Sequence, residues 1–332
     1  MGLLLPHGDL SGKSYNAIAV IGFGDNFPAM DLRHLRYFAA VAEHLNYTQA
    51  SRRLHVAQPA ISQTVLDLED ELGVKLLLRT KRSVQLTAAG AAFLRETTEI
   101  LRHAEEAKRI AQRAARGEIG RVAIGFMVSA ASPFLPRVIR AYRQRYPDVE
   151  LNLSEMGPEE QLSALESGGI DVGFSSPFPK ETHDWLDGKT IYTDRLMLAL
   201  PKEHRLAART RVNLRDLAGE NFVQFHRRGA PDVFDACVAL CGRAGFTPRI
   251  VYEANLMAAV LTLVESGLGA SLVPAYVRYL YHEECLLRAV TPASPRFELR
   301  MVWRHDSVSP ALAAFREIVL HHRADIQRQM ET

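Results

Sequence analysis

One stretch decides the fold of the N-terminal part of the chain: Tyr47-Thr-Gln-Ala-Ser-Arg-Arg-Leu-His-Val-Ala-Gln-Pro-Ala-Ile-Ser-Gln-Thr-Val-Leu-Asp-Leu68. Its apolar residues recur at helical spacing on both sides of a break near Val56. The pattern predicts two short helices joined by a tight turn, which is the shape that places a helix in the major groove of DNA. We therefore expect a DNA-binding head, and the remaining chain should control it.

The three predicted helices of this head have recognisable starts and buried faces. Asp31 is the predicted N-cap of the first helix and Thr48 that of the second. Pro59 falls in the first turn of the third helix, where its missing N–H costs nothing. Helical spacing turns one side of the third helix toward the core, namely Ile61, Val65 and Leu68. The opposite side then presents the polar residues Gln58, Ser62, Gln63 and Asp67.

A basic hairpin is predicted to follow the third helix, which ends at Gly73. Residues 74–80 and 83–87 predict two strands around Lys81-Arg82, an arrangement typical of a wing that contacts the DNA backbone or minor groove. Glutamine can bond an adenine edge, proline can touch a thymine methyl, and arginine or hydroxyl side chains can bind phosphate. The predicted DNA-binding residues are Thr48, Arg52, Arg53, Gln58, Pro59, Ser62, Gln63, Arg79, Lys81 and Arg82. For a single glutamine or serine, a solvated polar face is the better explanation; the order of these features along the chain favours DNA.

The residues from Met30 to Gly90 resemble the N-terminal domain of LysR-type transcriptional regulators. The resemblance rests on four segments: Leu35-Arg-Tyr-Phe38, Ala57-Gln-Pro-Ala-Ile-Ser-Gln63, Leu68-Glu-Asp-Glu-Leu-Gly-Val74 and Leu86-Thr-Ala-Ala-Gly90. It implies a winged helix-turn-helix. One departure is visible, because the family usually has Leu-Phe-Glu-Arg where this chain has Leu76-Leu-Leu-Arg79. Leu77 can still fill the core, but the ion pair of the missing glutamate is in doubt.

A proline-free segment from Thr87 to Gly117 predicts a linker helix about 45 Å long. Apolar and small residues follow heptad spacing along it: Phe93, Thr97, Ile100, Ala104, Ala107, Ala111 and Ala114. Such a seam favours pairing with a second copy, since DNA half-sites also call for a twofold. Packing against the chain's own second domain is the alternative. The family resemblance implies pairing of two heads, and tetramers are a family expectation.

Beyond residue 118 the pattern changes to strands alternating with helices, which predicts parallel sheets in two α/β lobes. The segments Ile124-Gly-Phe126, Gly169-Ile-Asp-Val-Gly-Phe174 and Glu265-Ser-Gly-Leu-Gly-Ala-Ser-Leu-Val-Pro-Ala275 resemble the LysR effector domain, similar to type II periplasmic binding proteins. The resemblance implies two crossings between lobes, which we place near Thr193 and Phe297. The predicted domains are an extension (1–29), the head (30–88), the linker (89–117) and an effector domain (118–332). Its lobe I comprises residues 118–193 and 298–332, and its lobe II residues 194–297.

Ligands of open α/β sheets bind at the carboxyl ends of the strands, where helix N-termini offer N–H groups to anions. This rule predicts the effector-binding residues Ser129, Ala130, Pro158, Ser175, Ser176, Phe225, His226 and Arg227. Ser129 matches a family position that presents a hydroxyl to the effector carboxylate, whereas Pro158 stands where a hydroxyl is common. The resemblance implies a small anionic effector, such as an aromatic or dicarboxylic acid. Cationic complementarity would then rest on His226, Arg227 or Arg228, unless these side chains are solvated.

Composition limits the function classes. The 332 residues carry a net charge of +2, so that DNA affinity must come from local basic clusters. Three cysteines are too few for a disulfide framework and fit a cytoplasmic protein; Cys237 and Cys241 are best explained as packed apolar groups. No catalytic, metal or cofactor motif is recognisable. We expect a regulator that binds inverted-repeat DNA as a homodimer or homotetramer, with no membrane role. The alternative is an enzyme or solute-binding protein with a vestigial head.

Overall fold

The structure is a computed structural model that describes residues 30–80, 83–176, 178, 183–228, 231–280 and 283–331. The predicted extension (1–29) and the wing residues Lys81 and Arg82 lie outside the described residues. Backbone contacts divide the chain into two compact units, with the boundary between Arg109 and Ile110. That boundary falls inside the linker helix, so the division into a head, a linker and an effector domain stays a prediction.

The head contains three helices and a hairpin among the residues described: α1 Leu32–His44, α2 Tyr47–Leu54, α3 Gln58–Leu72, β1 Leu77–Arg79 and β2 Val84–Leu86. Asp31 caps α1 as predicted, since its carboxylate accepts the N–H groups of Arg33 and His34 at 2.8 and 3.1 Å. The predicted cap of α2 is wrong. Asn46 caps that helix, because its side-chain oxygen reaches the N–H groups of the second and third helical residues at 2.8 and 3.0 Å.

Helix α3 has the two faces that its sequence predicts. Ile61, Val65 and Leu68 are fully buried in the head core, and Gln58 and Gln63 are exposed. Pro59 lies in the first turn, and Gly73 ends the helix with a left-handed φ of 66°. The strands of the wing are shorter than predicted. The N–H groups of Leu76 and Leu77 are hydrogen-bonded to the Glu69 carboxylate.

Helix α4, Ala88–Ala115, is the predicted linker helix. The Thr87 hydroxyl precedes it and accepts the Gly90 N–H at 2.8 Å. The start of α4 packs on the head, and Phe93 contacts Phe38 with 5.3 Å between ring centroids. The heptad spacing assigns Phe93 to a pairing seam, and its ring also packs against the head core. Its place in the seam stays a prediction. Ile100, farther along the helix, is 42% exposed.

The second unit alternates strands and short helices. Its first half contains β3 Ile119–Phe126, α5 Val128–Ala131, α6 Leu135–Arg145, β4 Asp148–Glu155, α7 Pro158–Ser167, β5 Val172–Ser175 and β6 Leu186–Pro201. Its second half contains β7 Arg211–Asn213, β8 Asn221–Phe225, α8 Pro231–Arg243, β9 Arg249–Ala254, α9 Met257–Glu265, β10 Ser271–Pro274, β11 Cys285–Thr291, β12 Arg296–Arg304, α10 Pro310–His321 and α11 Arg323–Glu331. Turns of 3-10 helix span Leu214–Leu217 and Ala275–Tyr279.

The main sheet of this unit is mixed rather than parallel, in the order β4-β3-β5-β12-β6-β11-β7, with β10 also paired to β6. Strands β3, β4 and β5 are parallel, whereas β12 runs antiparallel to both β5 and β6. The long strand β6 pairs with β12 in its first part and with β10 and β11 in its second. The chain passes from one half to the other along β6 and returns into β12, which makes these pairs antiparallel. Phe297 lies opposite Asp194 in this pairing.

The larger buried core of this unit draws side chains from both halves, and a second core lies in the second half. Cys237 and Cys241 are fully buried on α8 in the second-half core, as predicted for packed apolar side chains. Among the residues described, no group of three or more histidine, cysteine or acidic side chains is placed to hold a metal ion. The described chain likewise contains no helix with both the length and the apolar character that a membrane span requires.

Candidate functional site

Two places on the chain collect the residues that the sequence singles out. The first is the outer face of α3 in the head. Gln58, Pro59 and Gln63 are exposed there, and the Gln63 amide donates to Asp67 at 2.8 Å. The Thr48 hydroxyl lies 3.5 Å from the Gln58 side-chain oxygen, so α2 and α3 meet at this edge. The face can offer amide and hydroxyl groups to base edges and phosphates.

Arg79 connects the wing to this face. Its guanidinium donates to the Ser62 hydroxyl at 3.1 Å and lies 4.9 Å from the centre of the Tyr47 ring. Burial raises the pKa of Tyr47 to about 12, although the nearby Arg79 charge opposes this rise. Arg79 is therefore held beside α3 by polar and cation–π contacts. Arg52 and Arg53 are exposed on α2, and in the described part of the chain their guanidinium groups have no partner.

Sequence reasoning missed the residue that positions the wing. The Glu69 side chain is 1% exposed and accepts N–H groups from Leu76 and Leu77 at 2.9 and 3.0 Å. It also accepts from the Lys75 ammonium at 3.1 Å and lies 4.0 Å from Arg79. Glu69 thus provides an ion pair next to the Leu-Leu-Leu-Arg departure. One feature of the sequence could have indicated this role: the Glu69 carboxylate follows Leu68 directly and so lies at the edge of the apolar face of α3.

The second place is a cleft in the second unit, between the ends of β3, β5 and β8 and the strand pair β6–β12. It contains about 630 Å³ of empty space, its open mouth included. Five of the predicted effector-binding residues line it: Ser129, Ala130, Pro158, Ser176 and Phe225. The carboxyl-end rule therefore selects residues that line a common cavity.

A tyrosine hydroxyl connects two elements that line this cleft. The Tyr192 hydroxyl donates to the Ala130 carbonyl at 2.8 Å. Ser129, which follows β3, and Tyr276, which follows β10, both line the cleft, and burial raises the pKa of Tyr276 to about 12. The lining therefore combines elements from the two halves of the unit.

Three predicted residues lie elsewhere. Ser175 is fully buried behind the cleft, and in the described part of the chain its hydroxyl has no hydrogen-bond partner. His226 faces Glu253, with 3.6 Å between ring nitrogen and carboxylate. Arg227 makes two hydrogen bonds to Asp235 at 2.8 and 2.9 Å. The structure does not place His226 or Arg227 in the cavity lining, because acidic side chains outside the lining hold them.

The sequence did not indicate the rest of the lining, since strand pairing and helix packing bring it together. These residues are Met127, Tyr192, Asp232, Val233, Met257, Tyr276, Phe297, Glu298 and Leu299. The position of Asp232 could have been inferred locally, because it follows Pro231 at the start of α8. Glu298 had none, because it reaches the cleft only through the pairing of β12 with β6, where it lies opposite Thr193.

Both parts of the chain are similar to known protein families. Residues 32–91 match the model of the bacterial regulatory helix-turn-helix protein, lysR family, and residues 115–324 match the LysR substrate binding domain. The HTH-type transcriptional regulator AlsR of Bacillus subtilis is 38% identical over 86% of this chain and 94% of its own length. The Hca operon transcriptional activator HcaR of Escherichia coli is 35% identical over 90% of this chain and 99% of its own.

Solved structures agree with these matches. The crystal structure of full-length CbnR complexed with its target DNA superimposes with a TM-score of 0.74, at 32% identity, over 89% of this chain and all of CbnR. The crystal structure of CbnR, a LysR family transcriptional regulator, has the same TM-score at 33% identity, over 87% of this chain. The named relatives are regulators rather than enzymes. This chain therefore belongs to the LysR family of DNA-binding transcriptional regulators, with a winged helix-turn-helix head and a two-lobed α/β substrate-binding domain.

Proposed function

We propose that this regulator binds an inverted-repeat operator through the outer face of α3 and the wing, and that a small effector in the cleft controls its activity. The proposal rests on the presence of both features in one chain: α3 exposes polar residues, and five predicted effector residues line one cavity in the second unit. The regulator would then act in the cytoplasm, where its DNA target lies.

The DNA-binding residues are argued from exposure and chemistry. Gln58 and Gln63 would bond base edges, Pro59 would contact a methyl group, and Thr48, Ser62, Arg52, Arg53 and Arg79 would contact phosphates, with Lys81 and Arg82 in the wing. Replacing Gln58 and Gln63 together by alanine is expected to cost about 1–3 kcal/mol per lost base contact. Gln49→Ala, which changes an exposed glutamine on α2, is the matched control.

Fluorescence anisotropy with DNA from the region upstream of the protein's own gene measures this cost. An affinity of the double variant equal to that of the wild type at moderate salt contradicts the groove assignment. Arg52→Ala tests a phosphate contact, because it should weaken binding to all sequences alike and reduce the salt dependence by about one unit.

We also propose pairing through the exposed side of α4, with a tetramer as a further assembly. Beyond Phe93 the helix exposes Ile100, Ala107, Ala111 and Ala114, a stripe that a second copy can cover. Ile100→Glu places a charge in this stripe and should produce monomers in sedimentation experiments. Thr98→Glu, at an exposed position outside the heptad pattern, should leave the assembly unchanged. Loss of dimers in both variants points to misfolding.

For the effector, the sequence predicts a small anion such as an aromatic or dicarboxylic acid. The hydroxyls of Ser129 and Ser176 would donate to it, and Ala130, Pro158 and Phe225 would surround its body. We therefore propose screening small acids, alcohols and amines by thermal shift. A ligand of the cleft should lose affinity in Ser129→Ala while that variant keeps its DNA affinity. A promoter response that survives obstruction of the cleft by Ser176→Trp would contradict control through this site.

A further inference from the structure

The charge of the cleft lining differs from what an anionic effector requires. Two acidic residues, Asp232 and Glu298, are among those that line the cavity, and its described lining contains no lysine, arginine or histidine. Glu298 accepts a hydrogen bond from Thr190 at 2.7 Å. Within the described residues neither carboxylate makes an ion pair. An anion placed here would meet two negative charges without a compensating cation.

Two helix N-termini beside the cleft, those of α7 and α8, do not reverse this balance. Pro158 opens α7 without an N–H group, and Glu160 closes back on the Gly157 N–H at 2.9 Å. The first turn of α7 also carries Glu159, and that of α8 carries Asp232. The favourable dipole ends of α7 and α8 therefore already face the chain's own carboxylates. The four-residue α5 and helix α9 carry no acidic residue in the first turn. His226 and Arg227 face Glu253 and Asp235 instead of the cavity.

The remaining lining suits a cation with an apolar body. Phe225, Phe297, Tyr192 and Tyr276 contribute aromatic rings to the cavity, and ring faces attract ammonium groups. Partial desolvation and the nearby Asp235 raise the pKa of Asp232. A raised pKa is expected for a carboxyl group that has no cation beside it. A cation bound next to Asp232 would lower that pKa again.

We propose that the effector of this cleft is a small organic cation, a primary amine on an aromatic or short aliphatic body. Its ammonium group, with three N–H donors, contacts Asp232 and Glu298, and its body packs on the aromatic side chains. This inference rests on the proposed function, because it takes the cleft to be the effector site. It replaces the anionic effector that the family resemblance implies.

Two sets of ligands, each with closely similar carbon skeletons and different charges, test which charge the cleft prefers. The full-length protein is titrated with 2-phenylethylamine, 2-phenylethanol and phenylacetate, and with butylamine, 1-butanol and butyrate, by thermal shift and calorimetry at neutral pH. In at least one set the amine should bind about tenfold or more tightly than the alcohol and the acid. Asp232→Asn and Glu298→Gln should each reduce amine affinity about tenfold. Glu253→Gln, a change at an acidic residue outside the lining, should not.

The outcomes separate the two proposals. If no amine binds, or if an acid binds more tightly than its amine, the cationic effector is refuted. If an acid or alcohol then binds and Ser129→Ala weakens it, the cleft remains the effector site. If Ser176→Trp leaves the promoter response intact, the proposed function itself fails. Circular dichroism of the isosteric Asp232→Asn and Glu298→Gln variants verifies that both are folded.

Discussion

Replacing Glu69 by alanine should loosen the junction between α3 and the wing. The carboxylate is buried and accepts the N–H groups of Leu76 and Leu77 at 2.9 and 3.0 Å. These two residues are 1% and 3% exposed, so water cannot readily replace the lost acceptor. The alanine variant leaves two buried donors without a partner.

The magnitude follows from these contacts. A hydrogen bond to a charged group contributes about 1.5–3 kcal/mol, and two of them give about 3–6 kcal/mol. The contact of Glu69 with Lys75 adds at most about 1 kcal/mol, because the Lys75 side chain is 59% exposed. Glu69→Gln keeps an oxygen acceptor and should cost about 1–2 kcal/mol. Asp70→Asn changes a 77% exposed carboxylate on the same helix and should cost little.

The contribution of Glu69 should depend on pH in a defined direction. Burial opposes its ionisation, but hydrogen bonds from Leu77, Lys75 and Leu76 outweigh burial and hold its pKa below the ordinary value. A lowered folded-state pKa stabilises the fold above the unfolded pKa of about 4.3, and this stability disappears as the pH falls through the folded-state value. The advantage of the wild type over Glu69→Gln should therefore shrink on acidification below about pH 4.

Hydrogen exchange of the full-length protein measures this effect locally. Amides of α3 and the wing should exchange about 10²–10⁴ times faster in Glu69→Ala than in the wild type, up to the limit set by global unfolding. Amides of the second unit serve as the internal reference. Exchange in Glu69→Ala that matches Asp70→Asn would refute the assignment of Glu69 as the acceptor that positions the wing.

Five further substitutions test local structure through thermal unfolding followed by circular dichroism. Asn46→Ala should destabilise the head by about 1 kcal/mol, whereas Thr48→Ala should leave its stability nearly unchanged; the reverse order would restore Thr48 as the cap. Leu45 has a left-handed φ of 47°, so Leu45→Gly should stabilise by up to about 1 kcal/mol, and a loss of stability would contradict this. Gly117 has φ +69°, and an added Cβ would lie 2.7 Å from backbone, so Gly117→Ala should destabilise strongly. Gly242→Ala, at a helical position where a Cβ meets nothing within 4 Å, should stabilise slightly, and equal effects would exclude the steric explanation.

Local features of the head were predictable because they repeat along the chain. The apolar spacing of Ile61, Val65 and Leu68 determines which side of α3 is buried, and Gly73 marks its end. The cap of α2 was predicted two residues too late, since Asn46 and Thr48 are both of residue types that cap helices well. Only the backbone conformation, in which the helix begins at Tyr47, distinguishes them.

The contacts of Glu69 and Phe93 could not be read from such patterns. Glu69 bonds residues seven and eight positions away, in a strand whose path depends on the whole hairpin. Phe93 fits a heptad repeat, and yet its ring contacts Phe38 in the head core. In both cases the contact joins residues from different elements, and the spacing within one element does not reveal it.

The sequence by itself determined the family, the order of the elements and the outer face of α3, because these depend on residue type and spacing along one helix or strand. It also located the cleft near Ser129 and Ser176, since strand ends are local features. Only the tertiary structure decided the charge of that cleft. Asp232 and Glu298 are 66 positions apart in sequence, and both line the cleft. The pairing of β12 with β6 places Glu298 there, whereas Asp232 comes from helix α8. Arg227 is held outside the lining by Asp235. Charge balance at a site depends on which side chains folding brings together, and spacing along the chain does not encode it.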